Sequence, residues 1–196
     1  FSDMIGDYKK SKYLAEKIVT NFIQKKKMKA IIVNPSTPIG PGDVKPTPTG
    51  KIIFDVLNGK MPAYVETGLN IVHVDDVAEG HFLALKYGKN GEKYILGGEN
   101  LDFKVFIDLI SDFSKRGKVS IKLIAKYLVI FAYLNEFLHR FFINKTPSLT
   151  VDGLRMSEKK MFFSSNKAKN KLRYRPRSVK SAIKDSVIWF KNFIKV

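Results

Sequence analysis

Ala30-Ile31-Ile32-Val33-Asn34 is a β-branched run set between the charged turn at residues 25–29 and Pro35. A short apolar run bounded by a turn and a proline predicts a strand buried on both faces, as in parallel α/β sheets. Before it, Ala15, Ile18, Val19, Phe22 and Ile23 recur at helical spacing and predict a helix with a buried stripe. A helix leading into such a strand supports the α/β class. After it, residues 35–50 hold five prolines and three glycines, which predicts an ordered but irregular loop. Loops at the carboxyl ends of parallel strands are where α/β proteins bind ligands. The run therefore points to a site as well as to a fold.

The helix upstream carries the residues with chemical interest. Tyr8 and Lys12, in Tyr8-Lys9-Lys10-Ser11-Lys12, are four residues apart and lie on one helical face, with Cβ atoms about 6 Å apart. A phenol with a reference pKa of about 10 is a poor base at neutral pH unless its phenolate is stabilised. One ammonium about 5 Å away, at an effective dielectric of about 20, supplies roughly 3 kcal/mol, or about two pKa units. Two readings fit the spacing: a surface helix that happens to carry a tyrosine, and a proton-transfer pair. Tyr8, Ser11 and Lys12 continue the apolar stripe, whereas Lys9, Lys10, Glu16 and Lys17 lie off it. A lysine on an inward stripe calls for a partner.

Downstream, the pattern predicts a helix over 49–58 capped by Thr49 and stopped by Gly59, and short strands over 63–65 and 70–74. Asp75 is placed as the N-cap of a helix ending near Tyr87, a strand covers 93–96, and Asp102 starts a helix through Ser114 with Val105, Phe106, Leu109, Ile110 and Phe113 inward. Residues 121–143 read as mainly helical and 150–157 as a short helix. A short strand is expected over 161–164, a helix over 166–172, and a final amphipathic helix, carrying Trp189, over 179–194. Asp75 and Asp76 read as helix-capping residues rather than a catalytic carboxylate pair, and His73 as structural.

Composition narrows the function classes. Apolar residues make up 44% of the 196, enough for a core, and there is no cysteine, which excludes disulfides, thiolate metal sites and a cysteine nucleophile. His73, His81 and His139 make no metal-binding spacing. The net charge of +17 comes from 35 basic residues, of which only six are arginine, spread along the chain. Nucleic-acid recognition leans on arginine and on charge gathered on one face, so a solvated lysine surface is the preferred reading and nucleic acid is not the expected partner. The opening residues are polar and charged, and the most apolar window, 123–143, is broken by Lys126, Glu136, His139 and Arg140. A transmembrane segment is not expected, and a cytoplasmic location is.

With these elements placed, the sequence resembles the extended short-chain dehydrogenase/reductase family of NAD-dependent epimerases and dehydratases. The resemblance rests on ordered motifs: the segment Tyr8 to Glu16; Asn34-Pro35-Ser36-Thr37-Pro38-Ile39-Gly40-Pro41-Gly42-Asp43; Val72-His73-Val74-Asp75-Asp76-Val77-Ala78; and Ser165-Asn166-Lys167-Ala168 with Leu172-Arg173-Tyr174-Arg175-Pro176. Within the family the run from Pro35 to Pro41 and Tyr94-Ile95-Leu96-Gly97-Gly98-Glu99-Asn100 are most similar to bacterial dihydroflavonol-4-reductase-like proteins, with hopanoid-associated sugar epimerases the nearest subgroup.

The resemblance implies the C-terminal part of a Rossmann-like parallel sheet with an interleaved, α-rich substrate-binding part. Residues 1–100 would be the Rossmann-like segment with the active-site helix, and residues 101–196 a mainly helical substrate-binding segment. It implies NAD or NADP as cofactor and a small-molecule substrate, a sugar or flavonoid-like carbonyl or alcohol. Tyr8 would exchange a proton with the substrate while the cofactor moves a hydride. Lys12 would lower the Tyr8 pKa and bind the nicotinamide ribose, and Pro35, Ser36 and Thr37 would lie beside the nicotinamide. An epimerase would return the hydride to the opposite face; a reductase would release an alcohol.

Two departures shape the expectation. No Gly-x-x-Gly-x-x-Gly loop follows a strand anywhere in the sequence, so the pyrophosphate cradle is absent from it. The family's upstream catalytic serine or threonine would fall before Phe1, and about five sheet strands with it. The sequence thus reads as the C-terminal portion of a split or shortened enzyme, inactive alone, in which the strand at 30–34 lacks a neighbour. The alternative is a binding module that complements a separate N-terminal, cofactor-binding chain.

Overall fold

The computed structural model describes residues 6–26, 28–124, 127–129, 132–133, 154–155 and 159–193. They form an α/β fold with parallel sheets. A long helix, α1 (Asp7–Lys26), leads into β1 (Ile32–Pro35), which pairs in parallel with β5 (Lys93–Leu96) so that Ile32 faces Lys93 and Asn34 faces Ile95. β2 (Thr37–Ile39) runs parallel to the central β4 (Gly68–His73), whose other edge takes β6 (Glu99–Asp102) antiparallel. β3 (Ala63–Val65) pairs in parallel with β7 (Ile121–Leu123).

Five further helices cover these strands: α2 (Pro48–Leu57), α3 (Val74–Tyr87), α4 (Phe103–Ser114), α5 (Asn166–Leu172) and α6 (Val179–Phe193). The larger core lies where α2, α4 and α6 meet β4, with Ile53, Ile71, Phe106, Ile107, Ile110 and Ile183 fully enclosed. Phe190 of α6 sits edge-on to Phe54 (centroids 6.2 Å apart) and to Trp189 (5.2 Å). Burying side chains of this size contributes about 1.5–3 kcal/mol each. The smaller core joins α3 and α5 to β5 through Ala84, Tyr94, Leu96, Leu172 and Tyr174. Each core draws residues from both sides of residue 100.

A buried asparagine fixes the register at the centre. Asn70 on β4 donates to Asn100 Oδ1 (2.6 Å) and to the Phe163 carbonyl (3.2 Å), and its own oxygen accepts from Gly98 N (3.0 Å). Every polar atom of its side chain is thus used, as burial demands. Met161 makes a single bridge to Leu69 beside it, where the sequence suggests a strand over 161–164.

Several expectations need correction. The stripe of α1 is only partly buried: Val19 and Ile23 are half-buried, whereas Ile18 is 56% exposed and Ala15 and Phe22 are exposed too. Helical spacing reports that one face is apolar and says nothing of what covers it. β1 does have a neighbour, β5, and its residues are half-buried or exposed rather than enclosed on both faces, because one edge carries no strand among the described residues. Thr47, not Thr49, caps α2, its hydroxyl accepting from Gly50 N, because Pro48 takes the first helical position. His73 rather than Asp75 caps α3. In α4, Phe103, Phe106, Ile107 and Ile110 face inward while Val105 is exposed, a rotation of the expected stripe. Residues 121–123 form β7 rather than helix and Ile124 is irregular; 127–129, 132–133 and 154–155 are helical, and the remainder of 121–143 and 150–157 lies outside the described residues. Among the described residues no helix is long and apolar enough to cross a membrane.

Candidate active site

Helical spacing puts Tyr8 and Lys12 one turn apart on the first half of α1. The Lys12 Nζ stands 5.4 Å from the centroid of the Tyr8 ring, a cation–π distance. Tyr8 is 75% exposed, so its phenol is open to a reactant. Between them the Ser11 hydroxyl donates to the Tyr8 carbonyl (2.8 Å), an ordinary helix back-bond that leaves Ser11 no role toward the phenol. Lys12 makes no ion pair among the described residues, which leaves its charge available.

Pro35, Ser36 and Thr37 form the crossing from β1 to β2. Pro35 ends β1 against Leu96, Ser36 donates its N–H to the Leu96 carbonyl (3.2 Å), and Thr37 enters β2 opposite Ile71. Ser36 Oγ is enclosed and has no hydrogen-bond partner among the described residues. An unsatisfied buried hydroxyl costs about 1–3 kcal/mol, so such a group is a ligand-binding candidate. The turn continues to Gly40, where a Cβ would lie 2.5 Å from Val74 Cγ1, so the loop can pack on the start of α3 only without a side chain. Asp43 then accepts from Thr47 N (2.9 Å) and from its hydroxyl (2.9 Å), closing the loop onto α2.

The helix and the loop are linked through Glu16. Its Oε1 accepts from Lys93 Nζ on β5 (2.5 Å) and its Oε2 from Asn34 Nδ2 on β1 (3.3 Å). The hydrogen bond from Lys93 is the main cause holding the Glu16 carboxyl below its ordinary value of 4.5, with Asn34 adding to it against partial desolvation. Asn34 immediately precedes Pro35, so one carboxylate joins the helix bearing Tyr8 and Lys12 to the strand that delivers Pro35–Thr37. Sequence reading placed Glu16 off the inward face; the signal that could have found it is its position four residues beyond Lys12 and eight beyond Tyr8.

The acidic pair at the start of α3 has structural work. His73 Nδ1 accepts from Asp75 N (3.0 Å), which puts the neutral ring's proton on Nε2, 3.4 Å from Asp185 Oδ2 on α6. Asp76 is 2% exposed and accepts from Arg177 N and Nε, both at 2.8 Å. It clasps the chain before α6 to the N-terminal end of α3. Nearby, burial pushes the Tyr174 phenol well up, and the Asp76 and Glu79 carboxylates push the same way. Tyr174 stays neutral and supplies no second base.

Comparison with known proteins bears on the family and the fold. The pattern of a family described as the NAD dependent epimerase/dehydratase family matches residues 3–97. A putative dihydroflavonol 4-reductase of Synechocystis is 40% identical over 193 residues, covering 96% of this chain and 56% of the relative. Sterol demethylase protein B of Methylococcus capsulatus is 27% identical, covering 82% and 49%. Among solved structures, gox2253 is 53% identical with a TM-score of 0.83, covering 97% of this chain and 58% of that one. A nucleoside-diphosphate-sugar epimerase from Pseudomonas aeruginosa, at 20% identity and TM-score 0.78, shares the fold over 97% of this chain and 58% of its own. The chain therefore spans about half to three-fifths of the length of these relatives.

Proposed function

This chain belongs to the NAD-dependent epimerase/dehydratase family, and on that premise we propose that it supplies the proton-transfer side of a hydride-transfer site acting at a hydroxyl or carbonyl carbon. The observation that carries the reading is the exposed Tyr8 phenol with a Lys12 ammonium 5.4 Å from its ring that makes no ion pair among the described residues. Tyr8 Oη gives a proton to the substrate oxygen in reduction and takes it in oxidation. The Lys12 ammonium stands over the ring of the phenol that makes this transfer.

The cofactor would be NAD or NADP, and bound it supplies the hydride acceptor or donor. The enclosed Ser36 hydroxyl and the Lys12 ammonium, neither with a hydrogen-bond or ion-pair partner among the described residues, fit the nicotinamide riboside end of such a molecule, with Pro35 and Thr37 shaping the wall beside it. Nothing in the sequence provides a glycine-rich loop for the pyrophosphate. Residues 1–196 by themselves would therefore leave the dinucleotide weakly held and turn over poorly. The cradle would come from residues outside these 196, on the same polypeptide or on a separate chain. The edge of β1 that has no partner among the described residues and the exposed apolar side chains of α1 favour a segment that adds strands there. Residues 101–196, with α4, α5 and α6, would form most of the wall toward a sugar or flavonoid-like substrate.

The test is a Tyr8→Phe and a Lys12→Ala variant, each joined to a segment with the glycine-rich loop and assayed with NAD(P)H against UDP- and dTDP-sugar and flavonoid-like carbonyl substrates. Tyr8→Phe is expected to lower kcat by about 10²–10⁴ with cofactor affinity little changed, while Lys12→Ala weakens both. Turnover unchanged in Tyr8→Phe would remove the assignment.

A further inference from the structure

We propose that Glu16 is a positioning residue, with Lys93 as its counter-ion and Asn34 as its second donor, and that this junction sets where Tyr8 and Lys12 stand relative to Pro35–Thr37. The inference rests on the proton-transfer reading of Tyr8 and Lys12 and names what holds that pair in register.

Tyr8, Lys12 and Glu16 follow one another at four-residue intervals, so they make one row along α1. Glu16 stands at the end of the row where the strands are. Its two oxygens are used separately: one by the Lys93 ammonium on β5 at 2.5 Å, the other by the Asn34 amide on β1 at 3.3 Å. Those two strands are adjacent and in register, Ile32 facing Lys93 and Asn34 facing Ile95, so the two donors come from one rigid ladder. A carboxylate gripped from two directions fixes both the rotation of the helix about its axis and its height on the sheet. A single contact would fix only the height.

The apolar stripe of α1 is not sealed: Ala15 and Ile18 are exposed and Val19 and Ile23 only half-buried, so the polar junction at Glu16 adds what the stripe lacks. Ile23, beside Gly91 of the turn before β5, contributes a contact at the far end of the helix from Tyr8. Eight residues separate Glu16 from Tyr8, about 12 Å of helix, so a tilt of about 5° at the junction moves Tyr8 by about 1 Å. A displacement of about 1 Å in a reacting group can lower a rate by about 10²-fold. Glu16 thus acts at a distance on the pair without touching a reactant.

The absence of cysteine allows a direct test on the 196-residue chain. Nitroxide labels at Lys9→Cys on α1 and Lys45→Cys in the loop after β2 report the helix-to-loop distance by double electron–electron resonance. 3-Fluorotyrosine at Tyr8 gives a ¹⁹F line for the phenol itself. The expected result is one narrow distance and one sharp ¹⁹F line with Glu16 present, and loss of both in Glu16→Gln at an unchanged melting temperature. The charge-reversed pair Glu16→Lys with Lys93→Glu should recover both, since the ion pair is rebuilt and the Asn34 carbonyl can accept from the new ammonium. A distance distribution and ¹⁹F line untouched by Glu16→Gln, or broadened in the reversed pair as much as in Glu16→Gln, would overturn the proposal. Neither readout involves cofactor or turnover, so a failed hydride-transfer assignment and a failed positioning role are told apart.

Discussion

The α2–α4–α6 side of the molecule and the α1 side are built from similar amino acids and held together in different ways. On the first, Ile53, Phe106, Ile107, Ile110 and Ile183 are sealed against β4, and Phe54 of α2 meets the aromatic run Phe190, Trp189 and Phe193 of α6. On the second, α1 shows Leu14, Ile18 and Phe22 to solvent and is gripped at Glu16 by Lys93 and Asn34. The first region is enclosed by described residues. The second presents an apolar helix face and a strand edge with no partner among the described residues, and it is the one that carries Tyr8 and Lys12. Order where the substrate wall would be, with an open face where the cofactor would lie, is what a site shared with further residues requires.

Three changes would sharpen or break that contrast. Phe106→Ala empties a fully enclosed position and is expected to cost about 3–5 kcal/mol in a denaturant melt, whereas Ile18→Ala on α1 should stay within about 0.5 kcal/mol. Equal losses at the two sites would mean that α1 is buried after all. Asp76→Ala leaves the Arg177 backbone and guanidinium without their acceptor and should cost about 1–3 kcal/mol, since Arg177 is partly open to water. A neutral result would dissolve the clasp between α3 and α6. The smallest effect concerns pH. The Glu16 carboxyl is held below 4.5, so its contribution is fully present above that value and is lost as pH falls through the lower folded value. The amide resonances of α1 should therefore shift on acidification below about 4.5, before those of α4 and α6, in an NMR titration. Simultaneous loss would contradict the distinction between the regions.

How far the sequence reveals this arrangement depends on the kind of signal. Chain-local patterns are legible: the β-branched run at 30–34, the strand at 93–96 and the helices at 166–172 and 179–193 are where periodicity and turn residues place them. Patterns that depend on a neighbour are not. The apolar stripe of α1 is real, but spacing cannot say whether a partner covers it. β6 is hidden because Gly97-Gly98 reads as a stop, when the backbone only bends there to bring Asn100 onto Asn70. β7 is hidden inside an apolar stretch that reads as helix, its strand state set by pairing with β3. At the site, Tyr8 and Lys12 are singled out by residue type and spacing, and Pro35–Thr37 only by the family resemblance. Glu16 is not, because its partners lie 18 and 77 positions away along the chain. Asp76 shows the same limit: two acidic residues before an apolar stripe suggest a cap, and only the fold brings Arg177, 101 positions on, to one of them.

The division of labour between the two regions comes down to whether residues 1–196 can hold a nicotinamide dinucleotide. Titrating NADH and NADPH into the purified 196-residue chain, followed by cofactor fluorescence, reads this directly. The expected result is no saturation up to about 1 mM, an affinity weaker than about −4 kcal/mol, with saturable binding appearing once a segment carrying a glycine-rich loop is supplied. Micromolar binding by the chain alone, with turnover that Tyr8→Phe abolishes, would show that these residues form a complete site and would contradict the open-face reading.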